Sequence, residues 1–504
     1  MTNDYDVVII GGTSAGRYAA LNAVQQKARV ALVEPQFSQE LVSNYAIAQI
    51  SELFQVLGSI SSFGINSICP QAQANNGDSE EIKCCLSWQW EQTMGYINIL
   101  LNKYKENLSL ASLASQGVDI IVGKGEFQSN IKSNIKSNTN SATDIGFAVN
   151  NRLINARRYL LAAASVSAVP DIEGIETASF VTIENIWHSW KENPIPKEWV
   201  IIGGLFYSVT SAQILASLGC KVTLIVEHPL ILPRLDTEIA LLLQGRLEAQ
   251  GIKILTETSV TQVKKIENKS WLQVGNRAIE ADEILIAAIR KPDIDSLNLA
   301  AVGVKYHSNR LVVNKKLQTT NKRIFACGEI IGGDDIANIA NYEAQVALKN
   351  SLFLPIHKVN YQNIPWTVFS QPQAAQVGLS EAQAQRRYGK TKIIVLKHYF
   401  KHLTAAQVKD EITGVCKLMV LSNGKIIGAS ILGVSAEEII NMIALAMSKN
   451  IKIDSLTSFF STEPSFSAVL QQIVNLWQER KLNQDNFINN LRENFFYIRR
   501  SWNM

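Results

Sequence analysis

The chain opens on a short apolar, β-branched run, Tyr5 to Ile10, stopped by glycine. A strand buried on both faces of a parallel sheet has this pattern. Arg17 to Lys27 reads as a helix, and a second apolar strand, Val30 to Val33, ends on Glu34. Further on, Ile47, Ile50, Leu53, Phe54 and Leu57 are spaced for an amphipathic helix. Cys69 to Lys83 is polar, the composition of a surface insertion. Leu86 to Leu113 carries Trp88, Met94, Ile97 and Leu101 at helical spacing and is expected to form one long helix. Val118 to Phe127 reads as one strand with a glycine-marked bend. An IKSN duplication from Ser129 onward extends a hairpin tip before Gly146 to Val149 resumes β character. Tyr159 to Ala164 is a further buried strand, followed by a linker to Gly174.

The first strand, turn and helix carry chemistry. Gly11-Gly12-Thr13-Ser14-Ala15-Gly16 lies between strand and helix, and Glu34 closes the next strand about twenty residues on, the spacing of a dinucleotide fingerprint. The free N–H groups and dipole of a helix start hold a pyrophosphate, and the acid takes the ribose hydroxyls. Thr13 stands where the middle glycine of G-x-G-x-x-G belongs, so its side chain must be displaced or must contact the phosphate through its hydroxyl.

Composition narrows the class. With 504 residues the chain holds two to four domains. Lys and Arg total 48 against 44 acids, too even a balance for a nucleic-acid binder. No apolar run approaches a membrane span, and with a strand starting at Tyr5 no signal peptide is expected. Six scattered cysteines suit a reducing cytoplasm. Cys84 and Cys85 are adjacent; buried or idle thiols are expected ahead of a strained vicinal disulfide. No metal site is expected: His398 and His402 are four apart, but the segment is partly strand-like and offers no third ligand.

The motif order resembles the pyridine nucleotide–disulfide oxidoreductases, especially dihydrolipoamide dehydrogenases and mercuric reductases. The residues that carry it are the first turn, GKGEF around Gly125, the strand end at Ala164, the PDIEG linker, WVIIGGLFYS with Gly203 and Gly204, KVTLIVE ending on Glu227, TTNKRIFACGE with Gly328 and Glu329, and PWTVFSQPQAAQVGLS. The resemblance implies an α/β fold with two Rossmann-like domains, for FAD and NAD(P), and a C-terminal α+β dimerisation domain. It implies a discontinuous FAD domain (residues 1–165 and 290–350), an NAD(P)-binding-like domain (166–289) and a dimerisation domain (355–477) ahead of an amphipathic helical tail (478–504). Gly11 to Gly16, Glu34, Gly125, Ala164, Gly328 and Glu329 are then expected at the FAD, and Gly203, Gly204 and Glu227 at NAD(P)H. A carboxylate at 227 favours NADH, because it repels a 2′-phosphate. The functional unit implied is a homodimer.

Departures from the family pattern limit the chemistry. The family's C-x-x-x-x-C pair should follow the first acid, yet Phe37 to Ser51 contains no cysteine. In place of the C-terminal H-P-T-x-x-E motif the chain has Glu463-Pro464-Ser465-Phe466-Ser467-Ala468. A histidine shuttles protons at neutral pH, whereas a solvated glutamate is already ionised. Cys220, Cys327 and Cys416 do not stand where the lost pair belongs. At the second turn, Leu205 brings bulk where backbone must approach a pyrophosphate, and Ser208 loosens helix packing, so retained dinucleotide binding and a fold-preserving empty domain both stand. No catalytic residue is identified. Two functions follow: an FAD-dependent NAD(P)H oxidoreductase acting on a small non-dithiol acceptor such as a quinone, or a catalytically silent flavin-binding homodimer. Phe487, Leu491, Phe495, Ile498 and Trp502 line one stripe of the tail, which is expected on the protein's own dimer ahead of a membrane surface or a partner protein.

Overall fold

The computed structural model describes residues 4–34, 90–107, 109–130, 144–187, 195–308, 310–333, 336–484 and 486–502. The helix expected around Ile47 to Leu57, the insertion at Cys69 to Lys83, the adjacent Cys84 and Cys85 and the duplicated loop lie outside them. The chain forms two compact units, Met1–Glu227 with Gly251–Val359, and His228–Gln250 with Asn360–Met504.

The first unit contains two five-stranded sheets. One runs in the order Ile324–Ala326, Ala156–Leu161, Tyr5–Ile10, Val30–Glu34, Asp119–Val122, with every neighbouring pair parallel. Val7 and Ile9 join the core under helices Ser14–Gln25 and Ala337–Leu352, while Val8 and Ile10 face a second core with Phe127, Phe147 and Tyr159. Alternate residues of a strand point to opposite faces, so burial on both sides explains the unbroken apolar run. The other sheet is again wholly parallel, ordered Lys253–Leu255, Lys221–Ile225, Glu198–Ile202, Glu283–Ile286, Phe180–Thr182. Each sheet has an antiparallel three-stranded companion, Gly125–Asn130 with Asp144–Val149 and Arg152–Ile154, or Val260–Ile266 with Lys269–Val274 and Arg277–Ala281.

Two sequence expectations are corrected here. The single helix over Leu86 to Leu113 is two, Trp90–Asn107 and Leu110–Ser115, because the Ser109 side chain accepts a hydrogen bond from Ser112 N and caps a new helix start. The single strand Val118 to Phe127 is also two, Asp119–Val122 and Gly125–Asn130, in different sheets. Gly123 adopts φ 155° between them, a conformation that suits glycine. The linker after Ala164 is partly strand: Ser165–Ala168 pairs antiparallel with Ile289–Pro292.

The second unit is built on an antiparallel sheet of five strands, ordered Trp366–Val368, Gln373–Gly378, Ile426–Gly433, Val415–Leu421, Ile393–Tyr399. One core gathers Leu418, Val420, Ile431, Ile440, Ile443, Ile473 and Trp477 from sheet and helices. On the opposite face Lys417 is buried and pairs with Asp236, Glu238 and Glu381 at 2.6, 2.9 and 2.9 Å. An ammonium removed from water needs such partners, and these ones fix the start of helix Thr237–Ala249 to the sheet. His398 is the penultimate residue of the edge strand and His402 closes the following turn, their rings 5.9 Å apart. No helix among the described residues is long and apolar enough to cross a membrane.

Candidate functional site

In the first sheet the strands are parallel, so their C-terminal ends meet at one edge, where open α/β sheets bind ligands. Ile10, Glu34, Leu161 and Ala326 all end there. Gly11 adopts φ 118°, and a Cβ on it would collide with the Ala162 carbonyl. A Cβ on Gly16 would collide with the Gly11 carbonyl, so both glycines let the helix start lie close against the strand ends. Thr13 is the N-cap: its hydroxyl donates to Ala162 O at 2.7 Å and accepts from Gly16 N at 3.3 Å. That hydroxyl is therefore engaged by the chain itself, as donor and as acceptor. The Arg17 amide bonds Thr13 O, which leaves the Ser14 and Ala15 amides as first-turn donors without an acceptor among the described residues.

Glu34 is 2% exposed. Its Oε1 accepts from Arg17 Nη2 at 2.5 Å, while Arg17 Nε donates to Gly12 O at 3.1 Å. Oε2 is buried without a hydrogen-bond partner among the described residues. Burial raises the Glu34 carboxyl above its ordinary value, and the Arg17 guanidinium works against that rise. A buried acceptor with an unused lone pair at a strand end fits a donating ribose hydroxyl. Sequence reading missed Arg17, although a cation one residue past the last glycine of the turn was its only signal.

Gly328 begins the turn after strand Ile324–Ala326 and donates its N–H to Glu343 Oε2 at 2.8 Å. A Cβ on Gly328 would lie 3.7 Å from that of Ala15, which places this turn beside the first helix start. Glu329 Oε2 accepts from Ser165 N at 2.8 Å, from Ser165 Oγ at 2.6 Å and from Arg290 Nη2 at 3.3 Å. Arg290 also donates to Ser165 O at 2.6 Å and pairs with Glu184 at 2.9 Å. Burial alone would raise the Glu184 carboxyl, but hydrogen bonds from Thr182 and Ser167 together with Arg290 hold it below the usual carboxylate range. One oxygen of Glu329 is therefore committed to the paired strands Ser165–Ala168 and Ile289–Pro292. Ala164, just before them, accepts from Asp293 N at 3.0 Å. Gly125 starts the antiparallel companion sheet, where a Cβ would meet Ala148 O at 2.5 Å.

The second turn repeats the backbone of the first. Gly203 has φ 139°, and a Cβ on it would collide with the Ala287 carbonyl. Gly203 N donates to Ile225 O, as Gly11 N donates to Val33 O, each at 2.9 Å. Val33 thus corresponds to Ile225, and the residue that corresponds to Glu34 is Val226. The expected ribose acid, Glu227, is corrected on this register: it stands one residue beyond and is exposed. A Cβ on Gly12 would strike the Glu34 side chain, and one on Gly204 would lie 2.5 Å from Val226 Cγ1, which gives the same correspondence independently. Val209, in the place of Arg17, is 0% exposed and Val226 is 1% exposed. Leu205 is the N-cap of helix Phe206–Ser217 without a side-chain cap, and Ser208 donates to Leu205 O at 2.8 Å.

The described cysteines are free thiols. Burial pushes Cys220 up to about 11 and also raises Cys327 and Cys416 well above the ordinary thiol value. Such thiols carry almost no thiolate at neutral pH. Glu463 is exposed, while Phe466 and Ala468 are buried, with Phe466 stacked on Phe400 at 5.9 Å. Residues 37 to 51 lie outside the described residues, so their lack of cysteine is a fact of sequence alone.

A family model described as pyridine nucleotide-disulphide oxidoreductase matches residues 5–349, and a second, described as the dimerisation domain of that family, matches 364–474. The chain belongs to the pyridine nucleotide-disulphide oxidoreductase family. Its members are FAD-dependent oxidoreductases that use NAD(P)H, and the dimerisation domain supports a homodimer. Mercuric reductase of Staphylococcus aureus is 28% identical over 464 residues, covering 91% of this chain and 80% of that protein. Dihydrolipoyl dehydrogenase of Bacillus subtilis (strain 168) is 26% identical over 478 residues, covering 92% and 97%. The solved structure of the HOCl-induced flavoprotein disulfide reductase RclA from Escherichia coli superposes with a TM-score of 0.75 at 24% identity, covering 93% of this chain and 99% of that one, a likeness of fold.

Proposed function

We propose that this member of the family is an FAD-dependent oxidoreductase that passes electrons from NAD(P)H, with NADH preferred, to a small acceptor that is neither a dithiol nor a disulfide, such as a quinone or another small carrier. The observation that carries the reading is a contrast. The first turn keeps a buried acid with an oxygen that has no partner among the described residues, while the described thiols are buried or held protonated and Phe37 to Ser51 has no cysteine. When bound, the isoalloxazine of FAD carries hydride chemistry that needs no protein thiol.

The residues take the following roles in this proposal. The Ser14 and Ala15 amides and the helix dipole hold the pyrophosphate, and Glu34 Oε2 accepts from a ribose hydroxyl. Glu329 keeps its Oε1 for the ribityl side, and Gly125 and Ala164 offer backbone. Gly203 and Gly204 would offer backbone to a pyrophosphate at the second turn, which Leu205 crowds. Val226 gives a ribose no acceptor there, and Glu227 offers a 2′-phosphate an acid instead of a cation. Residues 1–165 and 290–350 would serve FAD, 166–289 NAD(P)H and 355–477 the dimer, ahead of the helical tail 478–504.

The test is the absorption spectrum of the purified dimer before and after anaerobic NADH, followed by a quinone and, separately, by lipoamide. A yellow protein bleached by NADH and recoloured by quinone is expected, with no lipoamide turnover. Robust lipoamide turnover would overturn the acceptor class. A flavin untouched by NADH and NADPH would favour the silent flavin-binding homodimer, the second reading, which the apolar pair Val209 and Val226 and the uncapped Leu205 at the second turn support.

A further inference from the structure

We propose that helix Asn486–Ser501 is an interfacial anchor that lies flat on a lipid surface carrying anionic headgroups. At 3.6 residues per turn, Phe487, Ile488, Leu491, Phe495, Ile498 and Trp502 fall within about 100° of arc. Leu491, Phe495, Ile498 and Trp502 are 51%, 59%, 48% and 83% exposed, so the described part of this apolar face is uncovered in the protomer. The family's dimerisation match stops at residue 474, which places the helix beyond the segment that the family uses for its dimer.

Charge selects the occupant. The helix carries Arg492, Arg499 and Arg500 against the single acid Glu493, and all four are exposed. Arg492 and Arg499 border the apolar arc on one side, while Asn490, Asn494 and Ser501 border it on the other. An antiparallel pairing with a second copy would set the Arg492–Arg499 edge against itself, a like-charge contact. Anionic headgroups instead complement the arginines while acyl chains take the aromatic and aliphatic arc. The helix has 16 residues, short of the roughly 20 needed to span a bilayer, so it lies on the surface.

The experiment uses the full-length flavin-loaded protein and cosedimentation with vesicles of phosphatidylcholine, with or without phosphatidylglycerol. Binding to the phosphatidylglycerol vesicles at least tenfold tighter than to phosphatidylcholine alone is expected, weakened by salt. The triple variant Leu491→Ser, Phe495→Ser, Trp502→Ser should lose binding at least tenfold with unchanged flavin content. The triple variant Arg492→Gln, Arg499→Gln, Arg500→Gln should lose the preference for anionic lipid. Wild type that stays in solution with both vesicles, or variants that bind as well as wild type, would overturn the proposal. So would an oligomer larger than the dimer, formed without lipid and abolished by the apolar variant, which would assign the face to a second copy.

Discussion

At Gly11 and at Gly203 the chain makes the same movement. Both glycines carry positive φ, 118° and 139°, both lie against the carbonyl of a neighbouring strand end, and both donate N–H at 2.9 Å to the strand that follows in the chain. What stands behind them differs. At the first turn a buried ion pair, Arg17 with Glu34, holds the strand end to the helix and leaves one oxygen without a partner among the described residues. At the second, the corresponding residues are Val209 and Val226, both apolar and buried. A backbone turn is thus a matter of glycine placement, whereas recognition of a sugar depends on one side chain at the strand end. One domain can keep the first and lose the second without disturbing its fold.

The largest effect should come from breaking the pair. Arg17→Met leaves the Glu34 carboxylate buried and unpaired, which costs about 3–5 kcal/mol. Denaturant unfolding should report that loss, and flavin absorbance should fall with it. The corresponding change at the second turn, Val209→Ala, removes only apolar atoms and should cost about 2 kcal/mol with flavin retained. Equal losses at the two positions would erase the distinction.

Gly11→Ala and Gly203→Ala test the shared part. Each forces a side chain into a strained conformation worth about 1–3 kcal/mol. Similar shifts in unfolding midpoint are expected for both, but only the Gly11 variant should purify with depleted FAD.

A smaller effect should follow from rebuilding the first site at the second. Val226→Glu alone buries an unpaired carboxylate. Adding Val209→Arg should recover about 0.5–3 kcal/mol of stability as coupling between the two positions, and NADH affinity measured by titration should rise several-fold over wild type. Strict additivity of the two changes would mean that the turns are not equivalent in register. The smallest effect should be Leu205→Gly, which removes bulk at the phosphate approach and should speed anaerobic flavin reduction by NADH a few-fold in stopped flow. A slower reduction would sink the steric argument.

Much of this was legible in the chain. The paired apolar strands, the first glycine turn, the acid at its strand end and the cysteine-free stretch after it all stand in the sequence, because each depends on local residue type or on short fixed spacing. The family match over residues 5–349 and 364–474 agrees with the motif order. Other features depended on where elements stop. The break at Ser109 and the division of Val118 to Phe127 between two sheets are settled by capping and by which neighbour a strand finds, and neither leaves a mark in hydrophobic periodicity.

The ribose acid shows the limit most clearly. KVTLIVE offers Glu227 as the terminal residue of an apolar run, just as VALVE offers Glu34. Successive side chains of an extended segment point to opposite faces, so a displacement of one residue exchanges a carboxylate for a valine at the site. The sequence determined that both turns exist. Only the pairing of Ile202 with Ile225, set by the packing of the whole second sheet, decided which side chain stands behind the second one.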